Sequence, residues 1–313
     1  MIVFGILAHQ DPAHLARLVD RLAPYPAIVH VDRKSDWATF ERALERAHNV
    51  VLIPRSESID VRWAGISVVL AEFAILERAR RLAAEEDYLV LLSGADYPLR
   101  PVAELDGHLA SSDGTQFIRY FKISQSSDCL RWSVSSRHYN DWLPLGRPRN
   151  TLHRKANTAI RLATGRLISE LSPPRIPRGL EPVFGSQFFA LTRACVDEVL
   201  TLRTERLDRF FTNVYAPDEK YIHTLVSLSR YHHKTPEGGY ASVPVRDDTS
   251  AAWMSNLHHP LPISKWWTIS DWPEISASNM WFIRKIRTQD GASLLDRIDK
   301  ERLGGTSPPM VDG

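Results

Sequence analysis

The chain opens with two periodicities in turn. Ile2–Ala8 is a continuous apolar run of strand length, and after Asp11-Pro12 the residues Leu15, Leu18, Val19 and Leu22 recur at helical spacing. Ala27–Val31 reads as a second strand, 37–47 as a second helix and 50–53 as a short third strand. A long helix is expected over 67–84, with Val68, Phe73, Ile75, Leu76 and Leu82 available for burial. Residues 88–92 are apolar without alternation, as in a strand covered on both faces, and Ser93-Gly94 and Pro98 end the run at a turn. Strands alternating with helices predict an α/β fold with a mostly parallel central sheet and helices on both faces.

Beyond Ser111 the pattern loosens. The stretch 121–150 reads as loop, 151–170 as helix, and the proline-rich 172–182 as a stiff connector. A strand is expected at 187–191, helices at 193–202 and 216–229, and an irregular aromatic stretch over 231–270. A strand at 281–286 and a helix at 292–302 complete one domain over 1–303, and 304–313 reads as a disordered tail.

Composition changes this picture little. A hydrophobic content of 43% and a charged content of 24% are those of an ordinary soluble protein. A net charge of +2 gives no general pull toward nucleic acid. Two cysteines, Cys129 and Cys195, supply neither a disulfide framework nor a zinc site. No stretch approaches a membrane span or a signal segment, so a cytoplasmic place is expected. The charge is uneven, however. Arg147, Arg149, Arg154, Lys155, Arg161, Arg166, Arg175 and Arg178 meet the single acid Glu170 between Leu145 and Leu180. That segment is either a solvated basic face or a patch for an anionic acceptor or the inner face of a membrane.

Four places carry candidate chemistry. Asp96 follows a buried strand, where open α/β sheets bind ligands, though a capping turn explains it equally well. In Pro217-Asp218-Glu219 the acids suit the first turn of a helix, or one of them is a general base desolvated by Phe210, Phe211, Tyr215 and Tyr221. Arg284-Lys285 is a strand end with snorkelling side chains or a diphosphate clamp. Gly65 and Ser67 suit a turn and helix start, beside which Trp63 is a core residue or a stacking platform. Asp-x-Asp, Gly-x-Gly-x-x-Gly after the first strand, a P-loop and Gly-x-Ser-x-Gly are all missing. The usual metal-diphosphate, dinucleotide, ATP and hydrolase patterns therefore have no support.

In order, Ile6-Leu-Ala-His9, His30-Val-Asp32-Arg-Lys34, Val61-Arg-Trp63-Ala-Gly65-Ile-Ser67 and Leu92-Ser-Gly-Ala-Asp96-Tyr97-Pro98 resemble the core-2/I-branching β-1,6-N-acetylglucosaminyltransferase family, which includes the peptide O-xylosyltransferases. Gly185-Ser186-Gln187-Phe-Phe-Ala, Pro217-Asp218-Glu219 and Phe282-Ile-Arg284-Lys285 extend the resemblance over residues 6–286. It implies a GT-A-like fold with a nucleotide-binding half, 1–120, and an acceptor and diphosphate-clamp half, 121–303. It implies inverting, metal-independent transfer of GlcNAc, or else xylose, from a UDP-sugar to a hydroxyl of a glycan, lipid-linked or small-molecule acceptor. The UDP-sugar is a co-substrate, and no cofactor is expected. Glu219 falls on the family's base and Arg284 with Lys285 on its diphosphate clamp. His9, Asp32 and Trp63 fall toward the nucleotide, and Asp96, Tyr97, Gln187 and Asp218 toward sugar or acceptor. Ile283, Ile286 and Phe188 depart from the family's usual Ala, Phe and Trp. With no anchor, stem or cysteine framework expected, the chain looks like a bacterial, reduced-compartment relative. A non-catalytic nucleotide-sugar or carbohydrate-binding module and a sugar-nucleotide hydrolase are the rival readings.

Overall fold

The computed structural model describes residues 1–138, 140–141, 151–171, 175–243, 257–260 and 265–304. Strands β1 (Ile2–Ala8), β2 (Ala27–Val31), β3 (Val50–Leu52) and β4 (Tyr88–Ser93) form the parallel part of a five-stranded sheet. The order is β3-β2-β1-β4-β8, and β8 (Ala190–Thr192) closes the edge antiparallel to β4. This is the mostly parallel, GT-A-like sheet that the sequence predicts.

The unbroken apolar runs are explained by burial on both faces. Ile2, Phe4 and Ile6 of β1, with Tyr88, Val90 and Leu92 of β4, pack against α1 (Pro12–Leu22), α2 (Trp37–Leu44) and α4 (Val102–Ala110). The intervening Val3, Leu89 and Leu91 pack on the other face against α3 (Ile66–Ala79), α7 (Arg193–Leu202) and α9 (Tyr221–Leu228). Helix α3 lies so close that a Cβ at Gly5 would stand 2.3 Å from Ile75 Cγ2, so only glycine fits there.

A third core unites the C-terminal part with the sheet. Tyr97 and Leu99 join Trp267, which precedes α10 (Trp272–Ser276), Trp272 and Ile275 of α10, Ile283 of the strand Phe282–Arg284, and Leu294 and Ile298 of α11 (Thr288–Arg302). Residues Asp96–Pro98, read from sequence as a turn, are a short strand, β5. It pairs antiparallel with β9 (Phe282–Arg284), with Asp96 opposite Arg284.

Several boundaries differ from expectation. The supposed loop 121–150 contains the end of β6 (Tyr120–Lys122) and helix α5 (Asp128–Ser135), which Ser127 caps by accepting from Leu130 N. The helix at 151–170 is α6 (Thr151–Leu171). Of the strand expected at 187–191 only Ala190 and Leu191 are extended, in β8, and Gln187 lies in the break after an unanticipated strand, β7 (Val183–Gly185), which pairs with β6. Helix α8 (Glu205–Phe211), capped by Thr204, was not anticipated. The helix expected over 216–229 is a 3₁₀ turn, Pro217–Glu219, followed by α9, because Lys220 leaves helical geometry at φ −140°. Of the expected tail, 305–313 lie outside the described residues.

Candidate active site

The parallel strands end on one edge, and the turns after them bring the polar residues together there. Asp96 is wholly buried. Its carboxylate accepts from Ser93 N at 2.9 Å and from the Ser93 hydroxyl, and pairs with His258 Nε2 at 2.9 Å and Arg284 Nε at 3.4 Å. Burial alone would push the Asp96 carboxyl up, but the charges of His258 and Arg284, with these hydrogen bonds, hold it below its ordinary value. Asp96 therefore serves as an anionic hub that fixes the guanidinium. Arg284 also lies 4.2 Å over the Phe188 ring and keeps 26% of its side chain exposed, so it is anchored on one side and open on the other.

The second wall is the turn Pro217–Glu219. Ala216 enters it at φ 45°, and Ala216 N donates to Ala64 O at 3.1 Å, where Ala64 is itself left-handed at φ 57°. Each such residue costs about 1–2 kcal/mol, so two of them in contact mark a backbone held in place by its surroundings. Glu219 is half-buried. Burial first, then the neighbouring Asp218 charge, raise its carboxyl to about 7 against the pull of Lys220 and Arg284. Asp218 is also raised by burial, and its Oδ1 has no hydrogen-bond partner among the described residues. Lys220 is 1% exposed beneath the turn, donating to Ala216 O at 3.1 Å with its ammonium 5.0 Å over Phe184.

Sequence reasoning missed Glu72. It sits in α3, fully buried, and accepts from Gln187 Nε2 at 2.7 Å, while its Oε2 has no partner among the described residues. Burial and then the charge of Asp218 push its carboxyl well above the ordinary range. The signal was available: Glu72, between Ala71 and Phe73, interrupts the apolar run 68–76 of the helix. Lys220 and His258 were missed as well, the second because it falls in the stretch expected to be irregular.

The structure thus brings together Asp96, Gln187, Asp218, Glu219 and Arg284. Lys285 stands next to Arg284, and burial and the adjacent guanidinium lower its pKa. Other candidates lie apart. Tyr97 points to the opposite side of β5, where its hydroxyl donates to Asp299 at 2.7 Å and accepts from Arg17 at 3.2 Å. Asp32 is paired with Lys34 at 2.7 Å, and Lys34 also bonds Asp60 at 2.8 Å. Exposed His9 accepts at its carbonyl from Ser35 Oγ at 2.9 Å, so His9 and Asp32 form a separate polar patch beyond β1 and β2. Trp63 is 74% exposed and meets Tyr215 edge-on at 5.9 Å, beside the Pro217–Glu219 turn. Among the described residues no three His, Cys, Asp or Glu side chains converge to hold a metal ion.

Residues 2–271, which include every one of these groups except the β9 pair, match the Core-2/I-Branching enzyme family. The chain belongs to that family. It is similar to a mouse (Mus musculus) protein, beta-1,3-galactosyl-O-glycosyl-glycoprotein beta-1,6-N-acetylglucosaminyltransferase 4, with 22% identity over 274 residues. That similarity covers 85% of this chain and 52% of the mouse protein, so the chain spans about half the length of the relative it matches. In this Core-2/I-Branching member Arg284 lies past the matched residues and meets Asp96 through the pairing of β9 with β5.

Proposed function

We propose that this protein is an inverting glycosyltransferase that moves a sugar from a UDP-sugar to an acceptor hydroxyl, forming a β linkage without a metal ion. GlcNAc is the first donor to consider, from the family and the mouse relative's name, and xylose the next. One observation carries the reading: Glu219, with a carboxyl raised to about 7, lies within electrostatic reach of the partly exposed Arg284. A base tuned near neutrality beside a fixed cation suits a reaction in which a hydroxyl loses a proton as a diphosphate leaves.

In this reading Glu219 takes the acceptor's hydroxyl proton as the oxygen attacks the anomeric carbon from the face opposite UDP. The bond from that carbon to the diphosphate oxygen breaks, and its electron pair leaves with UDP. Arg284 and Lys285 stabilise the charge that grows there. Asp96 acts through Arg284, setting the direction of its fork.

The test is incubation with UDP-GlcNAc and UDP-xylose, with and without a panel of glycan, lipid-linked and small hydroxyl acceptors. UDP release and the anomeric configuration of the product are then measured. Acceptor-dependent release with a β-linked product is expected. UDP release in water alone would assign a sugar-nucleotide hydrolase. Donor binding without any turnover would assign a binding module.

A further inference from the structure

Helix α6 is turned inside out relative to an ordinary surface helix. Its inward side is small and polar: a Cβ at Gly165 would lie 2.7 Å from Arg137 O, and Ser169 Oγ accepts from Arg137 N at 2.8 Å. Its outward side is apolar, where solvent normally meets charge. Leu152 is 76% exposed, Ile160 45% and Leu167 59%, at positions that share one helical face. Ala156, Ala159 and Ala163 are exposed on the same face. Past the helix, Ile176 continues the exposed apolar surface at 42%. A continuous outward stripe of this kind marks a surface that meets a partner.

We propose that this face docks on an anionic lipid bilayer. The occupant follows from charge. The described charged side chains exposed around the stripe are the cations Lys155, Arg175 and Arg178 and the one acid Glu170, and 145–180 carries eight basic residues against that acid. Leucine and isoleucine flanked by cations is the composition of a helix lying in the interface of an anionic membrane. A second copy of the chain meeting the same face about a two-fold axis would set these cations against one another. Among the described residues no helix is long and apolar enough to cross a membrane, so the contact is with the surface.

Helix α6 is tied to the rim of the cleft through its inward side. Arg137, which holds α6, precedes His138, whose ring lies 5.4 Å from Tyr215, and Tyr215 in turn carries the exposed Trp63. Tryptophan settles at the headgroup level of bilayers. The docking itself does not depend on the transfer reaction.

The experiment is sedimentation of the full chain with vesicles of phosphatidylcholine, alone or mixed with phosphatidylglycerol. Two variants are compared, Leu152→Gln/Leu167→Gln and Lys155→Glu/Arg175→Glu/Arg178→Glu, with urea unfolding as the control for intact folding. The wild-type chain is expected on the mixed vesicles only, and salt should release it. The glutamine pair should weaken partitioning about tenfold, and the charge reversals about a hundredfold. Three results would overturn the proposal. They are no sedimentation with mixed vesicles at low salt, equal binding to neutral vesicles, and a dimer in analytical ultracentrifugation that the glutamine pair dissolves.

Discussion

Glu219→Gln should make the protein more stable and less active, and the two effects should part company with pH. The Glu219 carboxyl is raised from its ordinary value of 4.5 to about 7, chiefly by burial. A carboxyl raised by folding contributes its full stability below the unfolded pKa, where it is protonated in both states. That contribution is lost as the pH rises through the folded pKa, because the fold then holds a charge it resists. At about 1.4 kcal/mol for each pKa step, the gap corresponds to about 3 kcal/mol, an upper figure because Asp218 and Lys220 adjust in response. Glutamine has the shape of the protonated acid and never ionises. Urea unfolding at about pH 8 should therefore find the variant more stable by up to about 3 kcal/mol, and at about pH 4.5 the two proteins should be nearly alike. Transfer should fall about 10²–10⁴-fold, while wild-type kcat should rise with pH and level off above about 7. A stability difference of the same size at both pH values would refute the ionisation argument. Transfer within a few-fold of wild type would remove Glu219 from the chemistry.

Three further outcomes are expected. Lys285→Ala should weaken UDP by about 1.5–3 kcal/mol in calorimetry and leave uridine almost unchanged, and equal losses would make Lys285 a structural residue. Glu72→Gln should retain stability and most activity because it keeps a partner for Gln187, whereas Glu72→Ala should lose about 2 kcal/mol or more in denaturation from the cavity and the lost hydrogen bond; equal behaviour of the two would show that the buried acid supports nothing. Transfer should survive excess EDTA, and activity that returns only on adding Mn²⁺ would overturn the cationic clamp.

The parallel half of the fold was legible because both faces of its strands are covered, so strand and helix periods replace one another cleanly as far as β4. The β5 strand was hidden by Pro98, which reads as a breaker but is tolerated in a three-residue strand whose only partner among the described residues is β9. Residues 187–191 read as one strand because their apolar run is continuous, yet Ser186 and Gln187 break the pairing and aim Gln187 at Glu72. Glu219, Arg284 and Asp96 could be named from sequence, since each belongs to a short motif. Their contacts could not be named, because Asp96 meets His258 and Arg284 only through pairing across most of the chain. Glu72 shows the reverse case. An acid inside the apolar run 68–76 was visible, but it becomes informative only once that side of the helix is known to face Asp218.

The pairing of β5 with β9 also bears on how the molecule assembles. Asp96 is carried by an early segment, but His258 and Arg284, which pair with its carboxylate, arrive near the end of the chain. Closing so long a loop is entropically slow, and contacts of this range form late. Until they form, a carboxylate at this depth would be buried without compensation, so the turn after β4 is expected to remain hydrated and open. A ribosome-bound or truncated chain ending before β9 would hold a complete five-stranded sheet with its cleft unbuilt, and a newly made molecule would acquire its reactive edge only in the last stage of folding.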